Sequence, residues 1–143
     1  MRFQKLGVFV ACAFSLCACA FVRVGNTCVF ARYAGERAFY LYSASSQAQI
    51  KNTLTLAELN GIKGESVRIT QAVEEQTAFL QQVLKEYRAQ VLWEESCADV
   101  TSYYCYSPRL QNGTVIEGQT VNLHIAFGAE TTMLGTPLIF GGF

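Results

Sequence analysis

The order of apolar and polar positions changes character several times along the chain, and each change marks a segment. Residues 6–22 are apolar throughout, with Ser15 as the only hydroxyl residue, and they follow two cations, Arg2 and Lys5. Residues 23–35 mix small, polar and apolar types without a period and read as a tether. Residues 37–43, Arg37-Ala38-Phe39-Tyr40-Leu41-Tyr42-Ser43, are short and aromatic-rich, which favours a strand because rings fit a pleated, half-buried surface. A small, polar loop over 43–49, a weak element over 50–60 and a turn bracketed by Gly61 and Gly64 follow. Residues 65–70 then alternate, Val67 and Ile69 on one face and Ser66 and Arg68 on the other, the period of a half-buried strand.

From residue 71 the period lengthens. Val73, Leu80, Val83, Leu84, Tyr87 and Val91 recur at three- and four-residue steps and form one stripe of an amphipathic helix that packs on a sheet. Thr70 is its expected N-cap, with Glu74 and Glu75 in the first turn, where the helix dipole favours anions. The remainder is β-type. Residues 91–95 and 101–107 read as a strand pair across 98–100, and Pro108 closes the second strand. Asn112-Gly113 marks a turn that needs positive φ, residues 115–117 pair back, and a long strand over 120–127 puts Val121, Leu123, Ile125 and Phe127 on one face and Asn122, His124 and Ala126 on the other. Residues 131–143 form a last strand interrupted by Gly135 and Pro137. The expected fold class is α+β: an antiparallel sheet packed on one side by one long amphipathic helix, behind an N-terminal signal or anchor segment. The expected boundaries are 1–22 for that segment, 23–35 for the tether and 36–143 for a single domain.

Composition sharpens the address. Of 143 residues, 51% are hydrophobic and 15% charged, a balance far from that of a disordered chain. Eleven basic and eleven acidic residues give a formal charge of zero, so there is no electrostatic footprint for nucleic acid. A cationic start followed by an apolar run is the grammar of an export signal. Its fate has three readings. The run is long enough for an uncleaved membrane anchor. Leu16-Cys17-Ala18-Cys19 resembles a bacterial lipobox, with Cys19 as the lipidated residue. Ala18-Cys19-Ala20 also satisfies the small-x-small rule for ordinary signal cleavage. Outside the cytoplasm, Cys97 and Cys105 are candidates for a disulfide, the alternative being two small buried apolar side chains.

Catalytic chemistry finds little support. His124 is the single histidine, so a zinc site would need Cys97, Cys105 and His124 to converge with a fourth ligand, and the cysteine spacing is not that of a C-x-x-C knuckle. Cys105 and His124 form the formal nucleophile pair of an alternative reading, an envelope thiol enzyme. Glu94 and Glu95 are adjacent on a strand and point to opposite faces, so they make no acid/base pair, and one is expected to be half-buried. Gly61-Ile62-Lys63-Gly64 has the outline of an RNA-clamping GxxG loop but is followed by a strand instead of a helix. Asn112-Gly113-Thr114 matches a glycosylation sequon that a turn explains equally well. No catalytic residue, metal site or cofactor is expected. The aromatic residues remain: alternation divides two aromatic strands between the faces of the sheet, and Tyr40, Tyr42, Tyr104 and Tyr106 form a candidate binding strip, unless helix and loop bury both sets.

The segment Val121-Asn122-Leu123-His124-Ile125-Ala126, followed by Leu134-Gly135-Thr136-Pro137-Leu138-Ile139, resembles the C-terminal signature of the YwmB-like family, in which an N-L-x-I-A strand precedes a V-G-T/S-P-I-I strand. The resemblance implies an exported protein of spore-forming Firmicutes with a TATA-box-binding-protein-like α+β fold and no enzymatic activity. The chain is shorter than a typical member, so a one-lobed relative is implied, and the fold label concerns shape and carries no DNA binding. The expected function is a non-catalytic accessory or binding domain of the bacterial cell envelope, related to sporulation. Its expected partners are the membrane, through the N-terminal segment, and an envelope protein. A structural assembly subunit is the other alternative.

Overall fold

The computed structural model describes residues 12, 13, 15, 28–42 and 48–140, with the side chains of Tyr42 and Ala48 excepted. Of the expected signal or anchor over 1–22, residues other than 12, 13 and 15, Cys19 among them, lie outside the described residues, as do residues 23–27 and 43–47, the Tyr42 side chain and residues 141–143. The chain forms strands β1 (Glu36–Tyr42), β2 (Ala48–Lys51) and β3 (Ile62–Thr70), helix α1 (Val73–Tyr87), then β4 (Gln90–Cys97), β5 (Val100–Tyr106), β6 (Thr114–Ile116), β7 (Gln119–Val121), β8 (Leu123–Phe127) and β9 (Thr131–Thr136). Seven strands make one sheet in the order β2-β1-β3-β9-β8-β5-β4, with every neighbouring pair antiparallel. β6 and β7 form a separate hairpin. The fold is thus α+β, a large antiparallel sheet with a helix laid on it.

Helix α1 connects β3, inside the sheet, to β4 at its far edge, so it must cross the strands between them. Its buried residues Val83 and Tyr87, with Leu80 and Leu84 partly buried, meet Val67 of β3, Leu134 of β9, Leu123, Ile125 and Phe127 of β8 and Cys105 of β5 in one apolar cluster. Those strand residues share a face because each strand alternates from a common register, Val67 opposite Leu134 and Leu134 opposite Ile125. The helix departs from expectation at both ends. It starts at Val73 behind Ala72, which provides no side-chain cap, and Val73 is exposed. It ends where Arg88 adopts the left-handed conformation at φ 49°, so that the Arg88 and Ala89 amides turn back onto the Lys85 and Leu84 carbonyls.

Four other expectations are corrected. Residues 28–33 are no tether. Phe30 is wholly buried in the core with Tyr33 beside it, Tyr87 donates its hydroxyl to the Val29 carbonyl at 3.0 Å, and the Arg37 guanidinium donates to the carbonyls of Phe30, Ala31 and Tyr33. Gly61 and Gly64 bracket no turn, because β3 starts at Ile62 and Gly64 lies within it, where a Cβ would come within 2.6 Å of the Thr136 carbonyl oxygen. Asn112 has the positive φ expected of it, yet the tight hairpin is made five residues later, where Glu117 and Gly118 both have positive φ. The long strand over 120–127 is broken at Asn122, and its last five residues are buried on both faces. What covers the face opposite the helix is the chain after β9, which turns back over Gly135 so closely that a Cβ there would meet the Ile139 nitrogen at 2.6 Å.

Candidate functional site

Of the four tyrosines, the three whose side chains are described, Tyr40, Tyr104 and Tyr106, do not assemble into a strip. Tyr40 and Tyr104 sit on strands four places apart in the sheet, roughly 19 Å at the ordinary strand spacing. Tyr40 is buried under the C-terminal segment, its ring 4.6 Å from that of Phe140, and its hydroxyl shares a hydrogen bond with Ser66 at 3.0 Å, donates to the Phe140 carbonyl and accepts from the Phe140 amide. Tyr104 belongs to a different assembly. A β-bulge between Val91 and Trp93 shifts the register of β4, so Val91 stays opposite Cys105 on the helix face while Trp93 comes opposite Tyr104 on the other. Tyr104 in turn lies opposite His124. The three side chains stack, Trp93 on Tyr104 at 4.7 Å and Tyr104 on His124 at 4.5 Å, with interplanar angles of 15° and 16°. Because rings stacked on one another spend their faces internally, both faces of Tyr104 are used. Tyr106, 42% exposed, is the open one among the three members of the set whose side chains are described.

The cysteine and histidine readings separate in the same way. Cys97 and Cys105 are free thiols. A two-residue turn at Ala98 and Asp99, with Ala98 at φ 51°, pairs Cys97 with Val100 and places Cys105 far up the ladder opposite Val91. The expected disulfide is therefore absent for a reason of register. Cys105 faces the helix, wholly buried, and burial pushes its thiol up to about 12. His124 faces the opposite side of the sheet, and burial brings its imidazole down to about 4. A thiol that holds its proton and an imidazole that refuses one, on opposite faces, cannot exchange a proton in a nucleophilic pair. Glu94 and Glu95 are both exposed, against the expectation that one is half-buried. Among the described residues no group of three or more His, Cys, Asp or Glu side chains is placed to hold a metal ion.

The feature that sequence reasoning passed over is Glu65. Alternation that puts Val67 and Ile69 on the helix face puts Glu65 there as well, so its burial was legible; the register confirms it between Phe39 and Thr136. It is 1% exposed. Oε2 accepts from the Phe30 amide at 3.5 Å, and Oε1 has no hydrogen-bond partner. Burial raises the carboxyl pKa above its usual range, opposed in part by the backbone amides of Phe30 and Val29 and by the charge of Arg37. Glu65 forms part of the wall of a cavity of about 460 Å³ between the start of β3, Val29, Thr136 of β9 and residues 109–112. Two cations, Lys63 and Arg109, line the same cavity.

The outer wall is held in place from below. Asn122, buried at the break between β7 and β8, accepts from the Ser107 amide at 2.7 Å and donates to the carbonyls of Ser107 and Leu110 at 2.7 and 3.0 Å. Ser107 donates its hydroxyl to the Tyr87 carbonyl at 2.6 Å and accepts from the Arg109 amide at 3.1 Å. One buried amide and one buried hydroxyl thus tie the segment after β5 to the helix end and to β8, which positions Arg109 and Asn112 over the cavity. Lys63 and Asn112 also line a second, smaller cavity of about 210 Å³ whose other walls include Tyr40, Pro137 and Phe140.

Compared with known proteins, the chain matches no family model, no curated protein and no solved structure.

Proposed function

We propose that the chain is an exported, membrane-associated, non-catalytic binding domain of the bacterial cell envelope, a one-lobed relative of the YwmB-like proteins with a role connected to sporulation. The observation that carries the binding reading is the buried, half-satisfied carboxylate of Glu65 in the wall of a cavity of about 460 Å³, within the usual size range of small-molecule sites. The thiol-enzyme alternative has lost its geometry, since Cys105 and His124 point away from each other across the sheet. Support for the address is the cationic start and apolar run over residues 1–22. Among the described residues no helix is long and apolar enough to cross a membrane.

Two experiments test the address. Residues 1–27 placed ahead of alkaline phosphatase, which folds actively only after export, are expected to give active enzyme in a bacterial host, and an inactive cytoplasmic fusion sinks the reading. Cys19→Ala in the full chain then separates the modes of attachment. Release from the membrane fraction means lipidation, and retention means an uncleaved anchor.

A further inference from the structure

Of the two edges of the seven-stranded sheet, β4 is the longer, eight residues against the four of β2. Alternate residues of an edge strand aim their amide and carbonyl away from the sheet, and proteins protect such an edge with lysine, proline, a bulge or a covering element. β4 contains neither lysine nor proline, its bulge lies ahead of the regular run from Trp93 to Cys97, and it is exposed from Glu94 onwards. The hairpin it makes with β5 carries Glu94, Glu95 and Asp99 over residues 90–106 and no basic residue, although the whole chain balances eleven acids with eleven bases. Each face of the edge joins an acid to an aromatic ring. On the face opposite the helix, Trp93 ends the stack that starts at His124, with one side of its ring against Tyr104 and no further strand of the sheet beyond it. Glu95, two residues on, accepts the Tyr104 hydroxyl at 3.3 Å. On the helix face Glu94 lies opposite Tyr103, whose phenol pKa is raised by burial and by the charge of Glu94.

We propose that the β4 edge binds an extended segment of a partner protein as an added strand, and that this segment carries two adjacent arginines. Glu94 and Glu95 are neighbours on β4 and point to opposite faces, so an added strand meets them with two successive residues, one on each face. A guanidinium suits both places, because it lies flat on a ring while its N–H groups donate to a carboxylate. On one face that ring is Trp93 and the carboxylate Glu95, and on the other they are Tyr103 and Glu94. Backbone hydrogen bonds to the open edge supply the rest of the attachment. A second copy of the chain is the poorer occupant: β4 against β4 would set Glu94 and Glu95 of each copy against those of the other and supply no cation. The edge shares no lining residue with the Glu65 cavity, so the two sites stand or fall separately.

Trp93 is the single tryptophan of the chain, so its fluorescence reports the site itself. The full chain in detergent is titrated with a short capped peptide of alternating threonine and valine that has two central arginines. Two controls accompany it: the same peptide with glutamates in place of the arginines, and the arginine peptide N-methylated at alternate amides. The arginine peptide is expected to change Trp93 emission saturably below millimolar concentration. The glutamate peptide, which offers the wrong charge, and the N-methylated peptide, which cannot complete the backbone ladder, are expected to leave it unchanged. Glu94→Gln with Glu95→Gln in one chain replaces two exposed side chains and is expected to weaken binding by roughly 5-fold or more, the factor open to two exposed ion pairs, with a circular-dichroism melt as the folding check. Raising the salt concentration is expected to weaken wild-type binding in the same direction, which keeps the test open if the double variant fails to fold. No saturable change at millimolar arginine peptide, equal binding of either control, or binding that neither the double variant nor salt weakens overturns the proposal. Emission of the peptide-free chain that shifts with protein concentration would give the edge to a second copy and overturns it as well.

Discussion

The two faces of the sheet each bury one titratable side chain with one unsatisfied atom, and they deal with it differently. On the helix face Glu65 leaves Oε1 unpaired, and on the opposite face His124 leaves Nε2 unpaired while its Nδ1 accepts from the Ile139 amide at 3.3 Å. His124 is closed in by Tyr104 against its ring and by the returning C-terminal chain, so the group simply stays neutral. Glu65 stands beside open volume flanked by cations. The same local defect lies against packed chain in one setting and beside a cavity in the other, and what separates them is the space next to it rather than the residue type.

The sharpest way to break that contrast is to remove the segment that closes the helix face behind Glu65. Phe30→Ala is expected to lower unfolding free energy by about 3 to 5 kcal/mol, the range for a large core ring, because the wholly buried Phe30 side chain fills the core. Urea denaturation measures it, and a change near zero would return residues 28–33 to the status of a tether.

The two titrating groups predict opposite responses to pH. The folded-state pKa of His124, about 4, lies below its unfolded value of 6.5, so its contribution is complete above 6.5 and is lost as pH falls towards 4, on the order of 3 kcal/mol at about 1.4 kcal/mol per unit. Glu65 is raised instead, so its contribution is complete below the ordinary carboxylate range and is lost as pH rises through its folded pKa. His124→Phe, which keeps a stacking ring, is expected to flatten the acidic limb of stability against pH. Glu65→Gln flattens the limb above it. If both variants leave the profile unchanged, neither group is buried as described.

Closure of the far face is tested at Gly135. A methyl group there would collide with the Ile139 nitrogen and the Leu138 carbonyl carbon, at 2.6 and 2.7 Å, so Gly135→Ala must shift the returning segment. The expected cost is about 1 to 3 kcal/mol, typical of overpacking, with faster hydrogen exchange at the Ile139 amide. Unchanged protection of that amide would show that the segment does not depend on the approach.

The smallest effect concerns the cysteines. Cys97 is exposed at the end of β4 and Cys105 is buried, so melts with and without reductant are expected to superimpose, and Cys97→Ser to change stability by less than about 0.5 kcal/mol. A maleimide should label Cys97 in the native protein and Cys105 only after unfolding. A reductant-sensitive melt would mean that the register of β4 against β5 differs from that given by the two-residue turn.

Periodicity by itself determined the α+β class, the amphipathic helix, the inward set Leu123, Ile125 and Phe127, and the positive φ at Asn112, because each follows from interactions within a few residues of chain. It also contained the burial of Glu65, two positions before Val67 on the same strand. Tertiary structure alone decided the rest. The bulge at Leu92 turns Trp93 onto the face of His124, the turn at Ala98 and Asp99 draws the cysteines apart, and the chain after β9 covers a face that an alternating strand leaves to solvent. Whether residues 28–33 tether or pack, and whether an orphaned carboxylate meets a wall or a cavity, depends on groups tens of residues away, such as Tyr87 and Arg109, which no local pattern brings together.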